Sequence, residues 1–159
     1  MNDWLMKTEP EAFSIDDLQR RPLQTEPWDG VRNYQARNFM RDRMQVGDGV
    51  LFYHSNCETP GVVGLANIAS TAYPDPTQFD PESNHYDAAS TQEQPRWLLV
   101  NVKFERKFSR VISLAELRTH AAKLEGLALL ARGNRLSIMP VRPAHWRYIL
   151  GLERKSGEQ

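Results

Sequence analysis

Residues 49–55 read GVLFYHS and residues 61–73 read GVVGLANIASTAY, and both runs are rich in the β-branched and aromatic residues that favour strands. Pro74 and Pro76 end the second run. Residues 96–108 (RWLLVNVKFERKF) carry a third and stronger strand pattern. Because no regular helix separates the first two runs, we expect them to pair in a curled antiparallel or mixed sheet. The sequence therefore predicts an α+β fold, mainly β, in which a small curled β-barrel has short helices at its periphery.

Shorter elements are predicted on both sides of these strands. Residues 4–8 have the composition of a first strand, and Ser14 begins a short helix that ends near Arg21. A second helix is predicted over residues 33–43 from its apolar face. The remaining predicted elements are a helix over 113–124, a helical turn at 127–132, a strand over 135–141 and a helix from Pro143.

Length and composition predict one domain without a membrane segment. The chain has 159 residues, and its 20 Lys and Arg balance 20 Asp and Glu. No apolar run approaches the roughly 18 residues needed to cross a bilayer, and the first residues lack the pattern of a signal peptide. We therefore expect a cytoplasmic monomer with a single domain over residues 1–153 and a flexible tail at 154–159.

Charge is unevenly distributed along the chain. Residues 75–93 contain five acidic residues and no basic one, whereas residues 126–152 contain four arginines and no acidic residue. Residues 32–43 (RNYQARNFMRDR) are also basic. Because a local basic patch, and not the total charge, determines binding to nucleic acid, zero net charge does not exclude such a partner.

Enzymatic signatures are sparse. Gly47-Asp48-Gly49 and residues 61–64 fit neither the P-loop nor the dinucleotide fingerprint. The four histidines lie far apart and there is a single cysteine, so we expect neither a metal site nor a cofactor. We expect a protein that is not an enzyme. A hydrolase that uses Cys57 with the nearby His54 is the enzymatic alternative.

Aromatic and polar residues at predicted strand ends and in loops offer a better candidate site. Stacking on an aromatic face holds a planar base with about 1–3 kcal/mol, and an Asn side chain can read its edge with a donor and an acceptor. Trp28 is expected outside the core because it lies in the loop Pro27-Trp28-Asp29-Gly30, whereas Trp97 and Trp146 are expected to pack inside. This composition favours a base-binding pocket, with RNA or a small anionic metabolite as the alternative ligand.

Seven motifs, taken together, resemble the EVE domain family over nearly the whole chain. They are residues 4–10 (WLMKTEP), 28–38 (WDGVRNYQARN), 53–56 (YHSN), 61–64 (GVVG), 73–76 (YPDP), 95–97 (PRW) and 135–141 (RLSIMPV). The resemblance implies a PUA-like fold, related to YTH and ASCH domains. It also implies a non-enzymatic reader of modified bases, chiefly modified cytosines in DNA in preference to RNA.

The resemblance also suggests site residues. Lys7 and Thr8 match a Lys-Ser pair of YTH domains, Trp28 matches their cage tryptophan, and Asn33 matches their base-reading asparagine. Tyr53 and Ser55 share one face of their strand and are expected to form pocket walls. The predicted base-binding residues are Thr8, Trp28, Asn33, Tyr34, Arg37, Asn38, Tyr53, Ser55, Trp97, Arg135 and Ser137, and the predicted phosphate-binding residues are Lys7, Arg32 and Arg41.

Overall fold

The computed structural model describes residues 2–155. Its strands are β1 (Asp3–Thr8), β2 (Thr25–Pro27), β3 (Gly49–His54), β4 (Gly61–Ile68), β5 (Tyr73–Pro74), β6 (Leu98–Leu99), β7 (Asn101–Ser113) and β8 (Ile138–Val141). Its helices are α1 (Ile15–Arg20), α2 (Tyr34–Asp42), α3 (Leu114–Thr119) and α4 (Pro143–Arg154). The tail predicted at 154–159 lies, from residue 156 onward, outside the described residues.

Six strands form one strongly curled half-barrel sheet in the order β2-β7-β4-β3-β1-β8. Strands β5 and β6 form a separate two-stranded sheet. This arrangement, with the helices at the periphery, confirms the predicted fold class. Among the described residues, none of the helices has both the length and the apolar character that crossing a bilayer takes.

Strand β1 lies inside the sheet and is buried on both faces. It pairs in parallel with β3 and antiparallel with β8, while β3 and β4 pair antiparallel as predicted. Because successive side chains of a strand point to opposite faces, Trp4 and Met6 enter one core cluster and Leu5 enters the other. The strand ends at Lys7 and Thr8, which are only partly buried.

The strand predicted over residues 96–108 is divided between the two sheets. Leu98–Leu99 pairs with Tyr73–Pro74, and β7 begins only at Asn101 and continues to Ser113. At the break, the Ala69 N–H donates to the Asn101 carbonyl, and the Asn101 N–H donates to the Ser70 hydroxyl. The chain therefore passes from the small sheet to the large one at Val100. Three other elements are shorter than predicted, since β4 ends at Ile68, α3 ends at Thr119 and β8 begins at Ile138.

A buried aspartate holds the N-terminal end of β1. The Asp48 side chain is fully buried, and its Oδ2 accepts hydrogen bonds from Trp4 Nε1 and from the Gln45 N–H, both at 2.9 Å. Its Oδ1 accepts a hydrogen bond from the Asn2 N–H at 3.2 Å. These donors replace the water that the carboxylate loses on burial. Asp48 therefore connects β1 to the turn before β3.

A second buried aspartate joins the loop before α2 to the loop after β5. Asp75 Oδ2 accepts hydrogen bonds from the Gly30 N–H at 2.8 Å and from Arg32 Nη1 at 3.0 Å. Its Oδ1 accepts from the Thr77 N–H at 2.8 Å and from the Thr77 hydroxyl at 2.6 Å. Burial acts to raise the pKa of Asp75, but the hydrogen bonds from Thr77, Gly30 and Arg32 outweigh it and hold the pKa below its usual value.

Removing the Asp48 carboxylate should destabilise the fold. Asp48→Ala leaves the buried Trp4 Nε1 and the partly buried Gln45 N–H without their acceptor, and we expect a loss of about 3 kcal/mol of unfolding free energy. Asp48→Asn keeps one acceptor oxygen and is expected to cost less. Urea titration followed by circular dichroism measures both losses. Equal losses in the two variants would contradict this role.

The contribution of Asp75 to stability should depend on pH. Since its folded pKa lies below the usual 3.8, the contribution is present above pH 3.8 and is lost as the pH falls through the folded pKa. Asp75→Asn leaves Arg32 without its charged partner and is expected to cost about 3 kcal/mol at neutral pH. The difference from the wild type should narrow below pH 3.8.

Urea titrations over a series of pH values test this expectation. Asp80→Asn, which changes an exposed aspartate of the same loop, is the matched control and should alter stability little. If the difference in unfolding free energy between the wild type and Asp75→Asn stays constant into strong acid, the charge of Asp75 is not what stabilises the fold.

Candidate functional site

A cavity of about 350 Å³ opens beside the C-terminal end of β1. Its walls are formed by residues 7–8, 12–13 and 26–32, together with Arg21, His85 and Ser137. Segments that are distant in sequence therefore converge here.

Five of the predicted site residues lie in this cavity, namely Lys7, Thr8, Trp28, Arg32 and Ser137. Backbone contacts place two of their segments side by side, because the Lys7 N–H donates to the Ser137 carbonyl at 2.8 Å. The Thr8 hydroxyl donates to a backbone carbonyl in the neighbouring turn, that of Phe13, at 3.0 Å. The end of β1 is thus fixed against two of the walls.

Trp28 is both a wall of the cavity and a member of the core. Its side chain is only 7% exposed and belongs to the core cluster that contains Trp4 and Met6. The rings of Phe13 and Phe52 meet it edge-on, with centroid distances of 6.3 and 5.5 Å. The expectation that Trp28 lies outside the core is therefore wrong. The reason lies in the backbone. The backbone N–H of Trp28 donates to the Val100 carbonyl, which extends the pairing of β2 with β7 by one residue and directs the indole into the core.

Gly30 allows close approach between the two loops that Asp75 joins. Its φ is +82°, and a Cβ at this position would lie 2.6 Å from Nε2 of His85. Only glycine can adopt this positive φ and also leave room for the His85 ring without strain. His85 is held there by its carbonyl, which accepts hydrogen bonds from Arg32 Nη2 at 2.6 Å and Nε at 3.1 Å.

Charges of both signs line the cavity. Lys7, Arg21 and Arg32 are the basic residues, and burial lowers the pKa of the Lys7 ammonium. Glu26 and Asp29 are the acidic ones, and partial loss of surrounding water at the cavity wall is the main reason that the pKa of each is raised, even though Asp29 keeps an exposed surface. Glu26 is paired with Arg21, whose Nε lies 3.2 Å from its carboxylate. The cavity is therefore polar and charged around one aromatic wall.

An aromatic stack lies next to the cavity and contacts it through Arg32. The rings of Tyr34 and Trp97 stack at 4.7 Å with an angle of 28°, and Tyr34 is 50% exposed. Trp97 Nε1 donates to Asp87 at 2.8 Å, and the Arg32 guanidinium lies 5.5 Å from the Trp97 ring. This group is pre-ordered, because the Trp97 ring is contacted by Tyr34 and Arg32 while its Nε1 is hydrogen-bonded to Asp87.

Two further predicted residues, Arg37 and Asn38, support the stack from helix α2. The Arg37 guanidinium lies 4.7 Å from the Tyr34 ring and donates to the Arg96 carbonyl at 3.0 Å. It also donates to the side-chain oxygen of Asn38. The structure thus places Tyr34, Arg37, Asn38 and Trp97 together, outside the cavity itself.

Tyr53 and Ser55 are not brought into the cavity. Tyr53 is 2% exposed in the core cluster that contains Leu5, and burial raises its pKa to about 12. Phe52, one residue earlier, faces Trp28 instead. Because strand side chains alternate, the face shared by Tyr53 and Ser55 is the one that points away from Trp28. Ser55 is joined to the end of β1 by its backbone N–H, which donates to the Thr8 carbonyl at 2.9 Å.

Asn33, Arg41 and Arg135 also lie outside the cavity walls. The Asn33 side chain caps α2 by accepting a hydrogen bond from the Ala36 N–H at 3.0 Å. Arg41 is exposed and donates to its neighbour Asp42. Arg135 is exposed. The base-reading role of Asn33 and the phosphate-binding role of Arg41 stay predictions.

Sequence reasoning missed several residues of the cavity, among them Phe13, Arg21, Glu26, Asp29 and His85. Asp29 had a signal, since it lies inside the quoted motif between Trp28 and Gly30. His85 had none, because it comes from a long irregular loop that only the folded chain brings to Gly30. Among the described residues, no three His, Cys, Asp or Glu side chains are grouped to hold a metal ion.

Comparison with known proteins gives consistent results along the chain. The profile of the EVE domain matches residues 2–152. Human thymocyte nuclear protein 1 is 45% identical, and the alignment covers 96% of this chain and 74% of the human protein. The zebrafish (Danio rerio) protein of the same name is 47% identical, with 94% and 71% covered.

Solved structures agree with these sequence matches. Human THYN1 in complex with 5-methylcytosine-containing DNA has a TM-score of 0.94 at 44% identity, covering 98% of this chain and 99% of that one. A Pseudomonas syringae protein has a TM-score of 0.89 at 49% identity, covering 94% and 98%. An ASCH protein from Zymomonas mobilis, with a TM-score of 0.54 at 12% identity over 96% of this chain and 99% of that one, shares the fold alone. On the extent of these matches, the chain belongs to the EVE domain family.

Proposed function

We propose that this protein is a non-enzymatic reader of DNA that carries a modified cytosine, and that the modified base enters the cavity beside Trp28. One observation carries the proposal. The cavity and its tryptophan lie in a chain that superposes, with a TM-score of 0.94, on a human relative crystallised with 5-methylcytosine-containing DNA. The predicted modification is therefore 5-methylcytosine.

The dimensions of the cavity support this proposal. Ligand cavities begin at roughly 300 Å³, so a volume of about 350 Å³ suits a single base better than a larger ligand. Extruding a base from a duplex costs a few kcal/mol, and stacking on an aromatic wall returns about 1–3 kcal/mol. The Thr8 hydroxyl, which donates to the Phe13 carbonyl, can still accept a hydrogen bond from the base, and the Ser137 hydroxyl can donate or accept one.

The charges around the cavity suit a DNA backbone. Lys7 lies inside the opening, and Arg32 lies between the cavity and the Tyr34–Trp97 stack. Phosphates on either side of an extruded base would face these cations. Because Asp75, Thr77 and the His85 carbonyl already accept the N–H groups of the Arg32 guanidinium, Arg32 would act on a nearby phosphate through its charge, without reorganising.

The contacts of His54 weigh against the hydrolase alternative. Its Nε2 accepts a hydrogen bond from the Ile15 N–H at 3.1 Å, and burial lowers its pKa. That nitrogen is therefore engaged in holding helix α1 and is not free to take a proton from Cys57. RNA and small anionic metabolites remain outcomes of the binding test.

Binding measurements test the proposal directly. We expect the protein to bind a duplex with one 5-methylcytosine more tightly than the same duplex with cytosine, as measured by fluorescence anisotropy at two salt concentrations. Duplexes with 5-hydroxymethylcytosine and methylated RNA complete the comparison. Equal affinity for all of these oligonucleotides would overturn the proposal, and preference for the RNA would assign the alternative ligand.

Replacing the aromatic wall tests where the base binds. Trp28→Phe keeps an aromatic ring in the core but reduces the stacking area, so we expect 5-methylcytosine DNA to bind about 5-fold more weakly, which is about 1 kcal/mol. Trp146→Phe is the matched control, because Trp146 packs against Gly49 away from the cavity. The control must leave the affinity for DNA unchanged, even where it lowers the melting temperature by as much as Trp28→Phe does.

Lys7 should contribute to the affinity for DNA by contacting a phosphate and not by contacting the base. Lys7→Met is expected to weaken cytosine and 5-methylcytosine duplexes equally and to reduce the slope of log K against log salt by about 0.9. Lys123→Met, at an exposed lysine after α3, should leave the slope unchanged. A selective loss of 5-methylcytosine binding in Lys7→Met would instead place the ammonium on the base.

A further inference from the structure

The cavity contains a carboxylate directly beside the aromatic wall. Asp29 follows Trp28, and its backbone is held by a hydrogen bond from its N–H to the Pro27 carbonyl at 3.0 Å. An acidic side chain at the entrance of a DNA-binding cavity repels phosphate, so it weakens backbone binding. Its place there is better explained by a contact with the base.

The partners of the neighbouring charges leave the Asp29 carboxylate available. Glu26, the other acidic residue of the cavity, is paired with Arg21. The nearby Arg32 guanidinium donates its hydrogen bonds to Asp75, to Thr77 and to the His85 carbonyl. Within residues 2–155, no lysine or arginine forms an ion pair with Asp29. Asp29 is thus an acceptor on the cavity wall that forms no ion pair within residues 2–155, although the charge of Arg32 is near enough to favour its ionised form.

We propose that the Asp29 carboxylate accepts a hydrogen bond from the 4-amino group of the bound 5-methylcytosine and thereby excludes thymine. The inference rests on the proposed function of the cavity. It assigns to one side chain the choice between two bases that carry the same methyl group.

The chemistry of the two bases makes this choice necessary. 5-Methylcytosine and thymine have the same 5-methyl group and similar stacking surfaces, so Trp28 cannot separate them. They differ at position 4, where cytosine presents an amino donor and thymine a carbonyl acceptor. A carboxylate accepts hydrogen bonds and donates none, so it pairs with the first base and faces the second acceptor to acceptor.

The expected discrimination is moderate because Asp29 is exposed at the cavity mouth. A well-placed contact to a base edge discriminates against the wrong base by roughly 10- to 100-fold, and we expect wild-type protein to prefer 5-methylcytosine over thymine by this factor. Asp29→Asn replaces the acceptor with an amide that also donates. The amide can turn its NH₂ group to the thymine carbonyl, so the preference should fall to within about 3-fold.

The experiment uses duplexes in which the target base lies opposite an abasic site, so that pairing energy does not differ between bases. Affinities for 5-methylcytosine, cytosine and thymine targets are measured by fluorescence anisotropy for the wild type, Asp29→Asn and Asp29→Ala. Asp29→Ala removes both the hydrogen bond to the 5-methylcytosine amino group and the acceptor-to-acceptor repulsion of thymine, so the ratio of the two affinities should fall. Asp80→Asn, at an exposed aspartate outside the cavity, is the matched control and should keep the full preference.

The possible results separate this inference from the proposed function. A wild type that binds all three targets equally overturns both. A wild type that prefers 5-methylcytosine over cytosine, with an Asp29→Asn variant that still rejects thymine as strongly, overturns this inference alone. Loss of the preference in Glu26→Gln but not in Asp29→Asn would also overturn it, because the amino group would then contact Glu26. Melting temperatures near that of the wild type are expected for the Asp29 variants, since the side chain is exposed.

Discussion

The wall of the candidate site depends on one buried carboxylate. Asp75 is fully buried, and its two oxygens accept hydrogen bonds from Gly30, Arg32 and Thr77. A buried charge is tolerated only when it is paired and hydrogen-bonded, so these contacts must form together. They fix the Trp28–Arg32 loop against the loop after β5, and this places His85 on Gly30 and the Arg32 guanidinium beside Trp97. Both the cavity and the adjacent aromatic stack follow from this arrangement.

The core beneath the cavity makes the site rigid. Strand β1 is anchored at one end by the hydrogen bond between Trp4 and Asp48, and its other end supplies Lys7 and Thr8 to the cavity. Trp28 adds to the same core through its packing against Phe13 and Phe52. A base would therefore meet a preformed aromatic wall, and this lowers the entropic cost of binding. The same packing means that stability and recognition are coupled at Trp28.

The charge segregation of the sequence corresponds to specific contacts between the acidic loop and the residues around the cavity. The acidic stretch at 75–93 does not form a separate surface, since Asp75 binds Arg32 and Asp87 binds Trp97 and lies near Arg96. The stretch at 126–152 supplies Ser137 to the cavity beside Arg32 of the other basic stretch, but its arginines, among them Arg135, lie outside the walls. The acidic loop instead orients one arginine of the basic helix region. A charge pattern along the sequence indicates which side chains need partners of opposite charge, but it does not predict which residues those partners are.

The amino-acid sequence by itself determined the strands, the helix starts and the family resemblance, because these depend on local periodicity, on caps such as Ser14 and on motifs that are contiguous in the chain. It also identified Lys7, Thr8, Trp28, Arg32 and Ser137, which the structure brings into one cavity. Only the tertiary structure decided that Tyr53 faces the other core cluster, that Asn33 caps a helix and that Asp29 and His85 line the cavity. The physical reason is that strand register and long-range hydrogen bonds set which face of an element meets which loop. Those contacts join residues far apart in the chain, and no local pattern records them.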